Sequence, residues 1–502
     1  MHRILFPLAL TLAVLASRDA VAATFYVDGT TGDDFSNDGL SWAASFATIG
    51  RAAQAADGSL GMDEIDVAAG EYAELIRIAS PVTVLAGFPS GGGSRDPAKN
   101  PVTVRHETTT EAILLLDAGS DGSLVDGVNL AGVRVGFTAG WGAILRGAGV
   151  TLRNGTIDGW LARSVRIDAP GVRLERIRAL FSPIDIFATD AGVFDSEFRD
   201  SAMLFLRGAD RAMIAGNIFH DFQFMGLTVL DIQGNDIRFE NNRVEDVGGG
   251  CYYPPPQPEP PSNMVLFRFA DRLLLRNDLF GKIANCLGGI ALQDSNDVSL
   301  ENVTVAEDDG IGIEVTNCTN VTVRDSIFWK NGTPPSGRVI GPVTVTHSLV
   351  QGGFPGSGNL DADPLFVPGP LGDFYLSSAF AGQPATSPAV DAGSDTAIAL
   401  GLDALVTRTD SVPDTGIADM GYHYPSPDPS PTPSPTPLTI LRGTSPAALS
   451  PLRSVAGLPF LEAPGILTNP GLRTLYYEIP EATNQLSIAK DYASDSLRLD
   501  FQ

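Results

Sequence analysis

The sequence predicts an all-β solenoid in which short parallel strands coil about one axis. Three observations carry that reading. Apolar–polar–apolar triplets recur at Val150–Leu152, Val172–Leu174, Ile237–Phe239, Leu273–Leu275, Val298–Leu300, Val321–Val323 and Val343–Val345, with weaker copies opening at Val193 and Ala212. Successive copies lie 19 to 25 residues apart, apart from one interval of 36. Alternation with period two marks strands rather than helices, and a repeat near 22 residues with several strands per unit is the signature of a stacked coil. Composition agrees. Of 502 residues, 54 are Gly and 36 are Pro, so turns are frequent, while 43% hydrophobic residues leave ample core.

Each repeat reads as three strands and three corners. The triplet is the first strand, and Asn or Asp follows it at 154, 241, 277, 302 and 325. A second apolar pair comes next, as in Ile218–Phe219, Leu279–Phe280 and Ile327–Phe328. A variable turn leads to a third strand, placed at Leu227–Val229, Ile290–Leu292 and Ile311–Ile313, and a polar corner such as Asp294–Asp297 or Asn317–Asn320 closes the unit. Stacked coils would lie ~4.8 Å apart and build three parallel sheets.

The flanking regions differ in kind. Residues 1–23 read as a secretory signal peptide: an apolar run from Ile4 to Ala16, then Ala20-Val21-Ala22 as a small-residue cleavage site. The expected location is therefore secreted or cell-surface, where disulfides are permitted. No interior run reaches transmembrane length. Residues 24–424 form the solenoid with its ends. Residues 425–437 alternate Pro with Ser, Thr and Asp and predict an extended linker. Residues 438–502 form a small module, with strands expected around 474–479, 486–488 and 497–499.

With these residues in place, the chain resembles the right-handed parallel β-helix of secreted proteins in the pectate-lyase-like superfamily. Asn154, Asn241, Asn277 and Asn302 resemble that fold's inward asparagine ladder, in which stacked amides satisfy one another. Phe25–Asp28 with the Ala-rich stretch 44–56 resembles its opening segment, the latter as an amphipathic helical cap over exposed strand edges. Residues 361–366, 372–376, 387–393 and 419–422 resemble its closing segment.

The resemblance implies polysaccharide as partner and a groove along the third strand and the turn before it. That turn carries Asp158, Asp200, Asp221, Asp246, Lys282 and Asp308, with His220 and Glu245 alongside. By resemblance to lyases, Arg268, Asp221, Asp246 and His220 form the catalytic set, with Arg268 as base for the sugar's C5 proton and Ca²⁺ as the cation near its carboxylate. A hydrolase would instead pair carboxylates ~5–9.5 Å apart, such as Asp221 with Asp246 or Asp308 with Asp309. Arg207, Trp160, Tyr252, Tyr253 and Lys282 are the expected substrate contacts, and Asp308, Asp309 and Glu314 the expected Ca²⁺ ligands. The interval of 36 contains Gly248–Pro261, a proline-rich insertion at the same turn, and a Cys251–Cys286 disulfide is expected to tie it down, leaving Cys318 free.

Charge narrows the partner. The net charge of −26 disfavours nucleic acid and anionic membranes. Between 146 and 211, ten Arg and nine acidic residues make a near-neutral, lysine-free stretch suited to carboxylate or sulfate recognition. Two function classes follow: a polysaccharide lyase or glycoside hydrolase, or a non-catalytic adhesive or carbohydrate-binding β-helix. Clustered carboxylates around Arg268 would favour the first. Charges dispersed and bonded locally would favour the second.

Overall fold

A computed structural model describes residues 22–57, 61–106, 111–132, 141–159, 164–200, 203–222, 228–248, 265–283, 289–332 and 339–426, and five strands between 438 and 501. The expected signal peptide up to residue 21, the proline stretch 427–437, Trp160, Cys251, Tyr252, Tyr253 and Cys286 lie outside the described residues. The chain divides into units 1–424 and 425–502.

The first unit is built from three parallel sheets of 13, 12 and 11 strands, a complete rung giving one strand to each and the end rungs fewer. The first sheet runs from Thr24–Val27 to Thr344–Thr346, the second from Gly70–Tyr72 to Leu349–Val350, and the third from Ile76–Ile78 to Val339–Ile340. Register is set by the alternation. Leu152, Leu174, Val193, Ile214, Phe239, Leu275, Leu300, Val323 and Val345 stand directly above one another and all point into the core. A one-residue slip would turn this whole column outward, so the register is strongly specified. Aromatic rings fill the wider rungs: Phe198 stacks on Phe219 at 4.4 Å, and Phe239 meets Phe280 and Phe267, which come from the other two sheets. The third strand expected at Ile311–Ile313 instead begins at Ile313, and in the rung of Leu227–Val229, of which Leu227 lies outside the described residues, the strand spans Leu230–Gln233.

The N-terminal helix spans Ile49–Asp57 and buries Ile49, Ala52, Ala53 and Ala56 in the solenoid core. Glu74 accepts from the amides of Ile49 and Gly50, satisfying two unpaired first-turn donors, and Asp34 accepts from those of Ala47 and Thr48 just before the helix. The neighbouring acids of the opening loop, Asp28, Asp33 and Asp38, accept from nearby amides as well.

The inward ladder sits one residue beyond its expected place. Asn154, Asn241, Asn277 and Asn302 adopt left-handed conformations, with φ between 51 and 59°, and lie on the outer side of the corner. The residues after them turn inward. Ser196 N–H donates to Asn217 Oδ1 at 3.0 Å, Asn217 N–H to Asn242 Oδ1 at 3.0 Å, and Asn242 N–H to Asp278 Oδ1 at 2.8 Å. Asn tolerates the left-handed region better than most residues, which explains its recurrence at the corner itself. Asn154 is therefore exposed. Asn277 and Asn302 are buried for another reason. The segment from 360 to 424 folds back outside the second sheet, and the two amides donate to the carbonyls of His423 and Asp419.

That returning segment contains an antiparallel hairpin, Phe366–Gly369 with Gly372–Leu376, and the short helix Ala397–Leu400. Phe374, Tyr375, Met420, Tyr422 and Tyr424 form a second core against Leu279, Ala306, Ile327, Trp329 and Leu349. Gly281 is needed here, because a Cβ would lie 2.5 Å from the Phe374 ring. In the second unit, five antiparallel strands include Leu475–Glu478, Leu486–Asp491 and Ser496–Phe501, overlapping the three anticipated stretches.

Candidate functional site

The corner between the second and third sheets gathers the expected charged column. Asp200, Asp221, Asp246 and Lys282 occupy its left-handed position on consecutive rungs. In neighbouring rungs the position falls at Gly159, Phe181, Glu307 and Lys330, Gly159 and Glu307 lying one residue from Asp158 and Asp308. The shift matters for Asp308. It turns inward, accepts from Ile283 N–H at 2.9 Å, and its own N–H donates to Asn331 Oδ1, while Asp309 stays exposed. Complete burial pushes its carboxyl well above the usual range. Glu314 points outward from the third sheet in register with Ala291 and Ile340. Asp308, Asp309 and Glu314 thus do not converge as Ca²⁺ ligands, and Asp308 and Asp309 do not face one another across a hydrolase cleft. Among the described residues, no group of three or more His, Cys, Asp or Glu side chains is arranged to hold a metal ion.

The expected catalytic set is divided among three places. Arg268 projects from the outer face of the third sheet and donates to both oxygens of Asp231, at 3.0 and 2.7 Å. Those hydrogen bonds hold the guanidinium still more firmly protonated, against the requirement of a base. Asp221 lies 3.1 Å from Arg199 Nε and 3.1 Å from His220 Nδ1, while His220 Nε2 meets Glu197 at 3.0 Å. Arg178 joins the same network through Glu197. Asp246 stands one rung from Asp221 but faces Lys282 at 4.0 Å, and Lys282 also pairs with Asp373 of the returning hairpin.

The third sheet carries the clearest outward pattern. Phe187, Arg207, Gln233, Arg268, Gln293 and Thr316 form one row along successive rungs, read from the strand register. Beside it runs a second row containing Arg166, Asp185, Phe205 and Asp231. The Arg166 guanidinium lies 5.0 Å from the Phe187 ring centre and Arg207 4.9 Å from that of Phe205. Arg207 also pairs with Asp185 at 3.2 Å. Phe187 is 42% exposed and Phe269, beside Arg268, 57% exposed. Phe269 takes the left-handed corner conformation at the strand's end. Cys318 is buried and unbridged.

Sequence reasoning singled out Arg207 and Arg268 but missed their partners Asp185 and Asp231. Alternation within Ile184–Ile186 and Leu230–Gln233 marks both as outward, so that signal was present. Glu197 and Arg199 were missed although they flank the inward Phe198. The contribution of Asp373 carried no local signal, since it lies 91 residues from Lys282.

Comparisons with known proteins agree with this architecture. Residues 183–348 match a family model described as a right handed beta helix region. The fold is a right-handed parallel β-helix. No curated protein matches the sequence. Similar solved structures include pectate lyase Pel9A, at 13% identity, covering 80% of this chain and 96% of that one with a TM-score of 0.39. A double mutant of the periplasmic alginate epimerase AlgG is 11% identical, with coverages of 60% and 65% and a TM-score of 0.24. Bacteriophage CBA120 tailspike protein 3 is 10% identical, with coverages of 57% and 56% and a TM-score of 0.26. Among the described residues, no helix is long and apolar enough to cross a membrane.

Proposed function

We propose that this chain is a secreted, non-catalytic β-helix that binds a polysaccharide along the outer face of its third sheet. The observation that carries this reading is the outward face on which the exposed rings of Phe187 and Phe269 and the half-buried ring of Phe205 lie among the arginine–aspartate pairs Arg207–Asp185 and Arg268–Asp231. Rings offer flat apolar faces to sugar rings, and each ion pair presents donors and acceptors to hydroxyls or to an acidic substituent. Rungs ~4.8 Å apart repeat these groups along an extended ligand. The dispersal of Arg268, Asp221 and Asp246 among separate partners supports binding over lyase or hydrolase chemistry. The signal-like sequence of residues 1–23 supports secretion.

The test is a panel of pectate, alginate and sulfated glycans. Binding should be detected by calorimetry and weakened about tenfold by Phe187→Ala with Phe205→Ala, as expected for lost ring contacts. New absorbance from unsaturated products, or new reducing ends, with or without chelator, would establish the enzymatic reading instead.

A further inference from the structure

Phe269 sits where it weakens the fold in two ways. It holds the left-handed conformation at the corner that follows the third sheet, with φ of 50°. There a Cβ crowds the following carbonyl oxygen, so the position suits Gly, or Asn and Asp with their short, locally bonding side chains. The neighbouring rungs obey this rule. The same corner carries Gly208 and Gly234 on the two rungs before Phe269, and Asp294 and Asn317 on the two after it. In this column Phe269 is the exception.

Packing does not explain it. The ring is 57% exposed, so most of its apolar surface gains nothing from burial. Phe181, another left-handed phenylalanine, is half-buried instead. A side chain that strains its backbone and still stays wet points to function, because Gly, Asn or Asp would serve the corner better.

Its surroundings indicate which function. Arg268, the residue before it, forms the ion pair with Asp231 on the preceding rung. Phe187 ends the strand three rungs earlier, ~14 Å away along the axis. On the rungs between, Gly208 and Gly234 place no side chain at the corner, and a Cβ on Gly208 would meet no atom within 4 Å. The corner is therefore open from Phe187 to Phe269, with an exposed ring at each end and polar groups of Arg207, Gln233 and Arg268 alongside.

We propose that Phe269 anchors the polysaccharide at the corner between the third and first sheets, and that the ligand is an extended chain long enough to reach from there to Phe187. The rise of one rung is close to the advance of one sugar in an extended chain, so the reach corresponds to about four units. This inference rests on the third-sheet reading and names the part of that face that dominates affinity. The ring stacks on a sugar face, and Arg268 and Gln233 meet the hydroxyls at its rim.

The experiment compares the full chain with Phe269→Asn, by calorimetry on pectate, alginate and heparin and by urea denaturation. Asn suits the left-handed position, so the denaturation midpoint should be no lower than that of the native chain, while binding falls about tenfold. Phe269→Trp should retain binding. A hexasaccharide cut from the polymer that binds should bind about tenfold tighter than its disaccharide, and that advantage should vanish in Phe269→Asn. Undiminished binding in Phe269→Asn overturns the anchor, and so does a lowered midpoint, which would make the ring structural. A hexasaccharide advantage kept in that variant overturns the reach. Where Phe187→Ala with Phe205→Ala weakens binding and Phe269→Asn does not, the anchor fails and the third-sheet reading stands. Absence of binding by the native chain to every polymer overturns both.

Discussion

The outer face of the second sheet has two halves that share one backbone geometry. A single column of outward residues runs Arg178, Glu197, Ile218, Arg243, Leu279, Thr304, Ile327 and Leu349. Its early members meet solvent and pair in charged networks. Its last four are buried under Phe374, Tyr375, Tyr422 and Tyr424. Arg243 stands at the border, half of its chemistry salt-bridged to Glu245 at 2.6 Å and half lying 5.4 Å from the Tyr424 ring centre. The comparison teaches that in a solenoid, an outward position becomes core wherever another segment docks. The hydrophobic effect then acts on the docked face as it does on the interior.

The sharpest way to break the contrast is to delete the same column from both halves. Ile327→Ala removes buried surface between the second sheet and the returning segment and should destabilise by about 2–5 kcal/mol, measured by chemical denaturation and by faster proteolysis between 360 and 424. An unchanged midpoint would show that the segment is not truly packed there.

Asn242→Ala tests the interior beneath the same border. It removes the Oδ1 that accepts from Asn217 N–H and leaves that buried donor unmatched. The expected loss is about 1–3 kcal/mol, whereas Asn241→Ala, one residue away on the outer side, should cost clearly less.

Asp66 extends the comparison to the first sheet, where an outward carboxyl is covered without a full set of partners. Burial pushes it up to about 6, Glu64 adds to the rise, and Arg95 opposes it. A carboxyl whose folded value is raised takes up its proton first in the folded state. Its charged form therefore weakens the fold above about pH 6, and the penalty fades as pH falls toward the unfolded value near 4. Asp66→Asn should gain on the order of 1 kcal/mol at pH 7 and nothing near pH 4, allowing for partial screening. Equal effects at both pH values in thermal melts would sink this assignment.

The smallest effect belongs to the solvated half. Arg178→Ala breaks an exposed pair with Glu197 and should cost less than about 1 kcal/mol, a loss further reduced by added salt. A cost matching that of Ile327→Ala would erase the distinction between the halves.

Much of this was legible before any coordinates. The triplets fixed the first sheet because an inward apolar residue must recur on every rung, and the interval of 36 marked an insertion between Arg243–Glu245 and Val265–Arg268, at the anticipated corner. The Asn ladder was misplaced by one residue because the sequence shows which residue types favour a left-handed corner, but a corner's outer and inner residues are adjacent and both polar. Asp308 was misassigned for the same reason: Glu307-Asp308-Asp309 alternates out, in and out around a turn. The candidate sites were less legible. Arg268 lies between the inward Phe267 and the corner, yet its partnership with Asp231 depends on register across rungs.

By itself, then, the sequence determined the coil: its period, its three strands per rung and its apolar filling, because these rest on local alternation and turn chemistry repeated many times. Tertiary structure alone decided which outward faces stay wet. Burial of the second sheet's late half arises from a segment that returns across tens of residues. No local pattern encodes where such a segment will land, since docking is selected by the summed fit of distant surfaces rather than by any one of them.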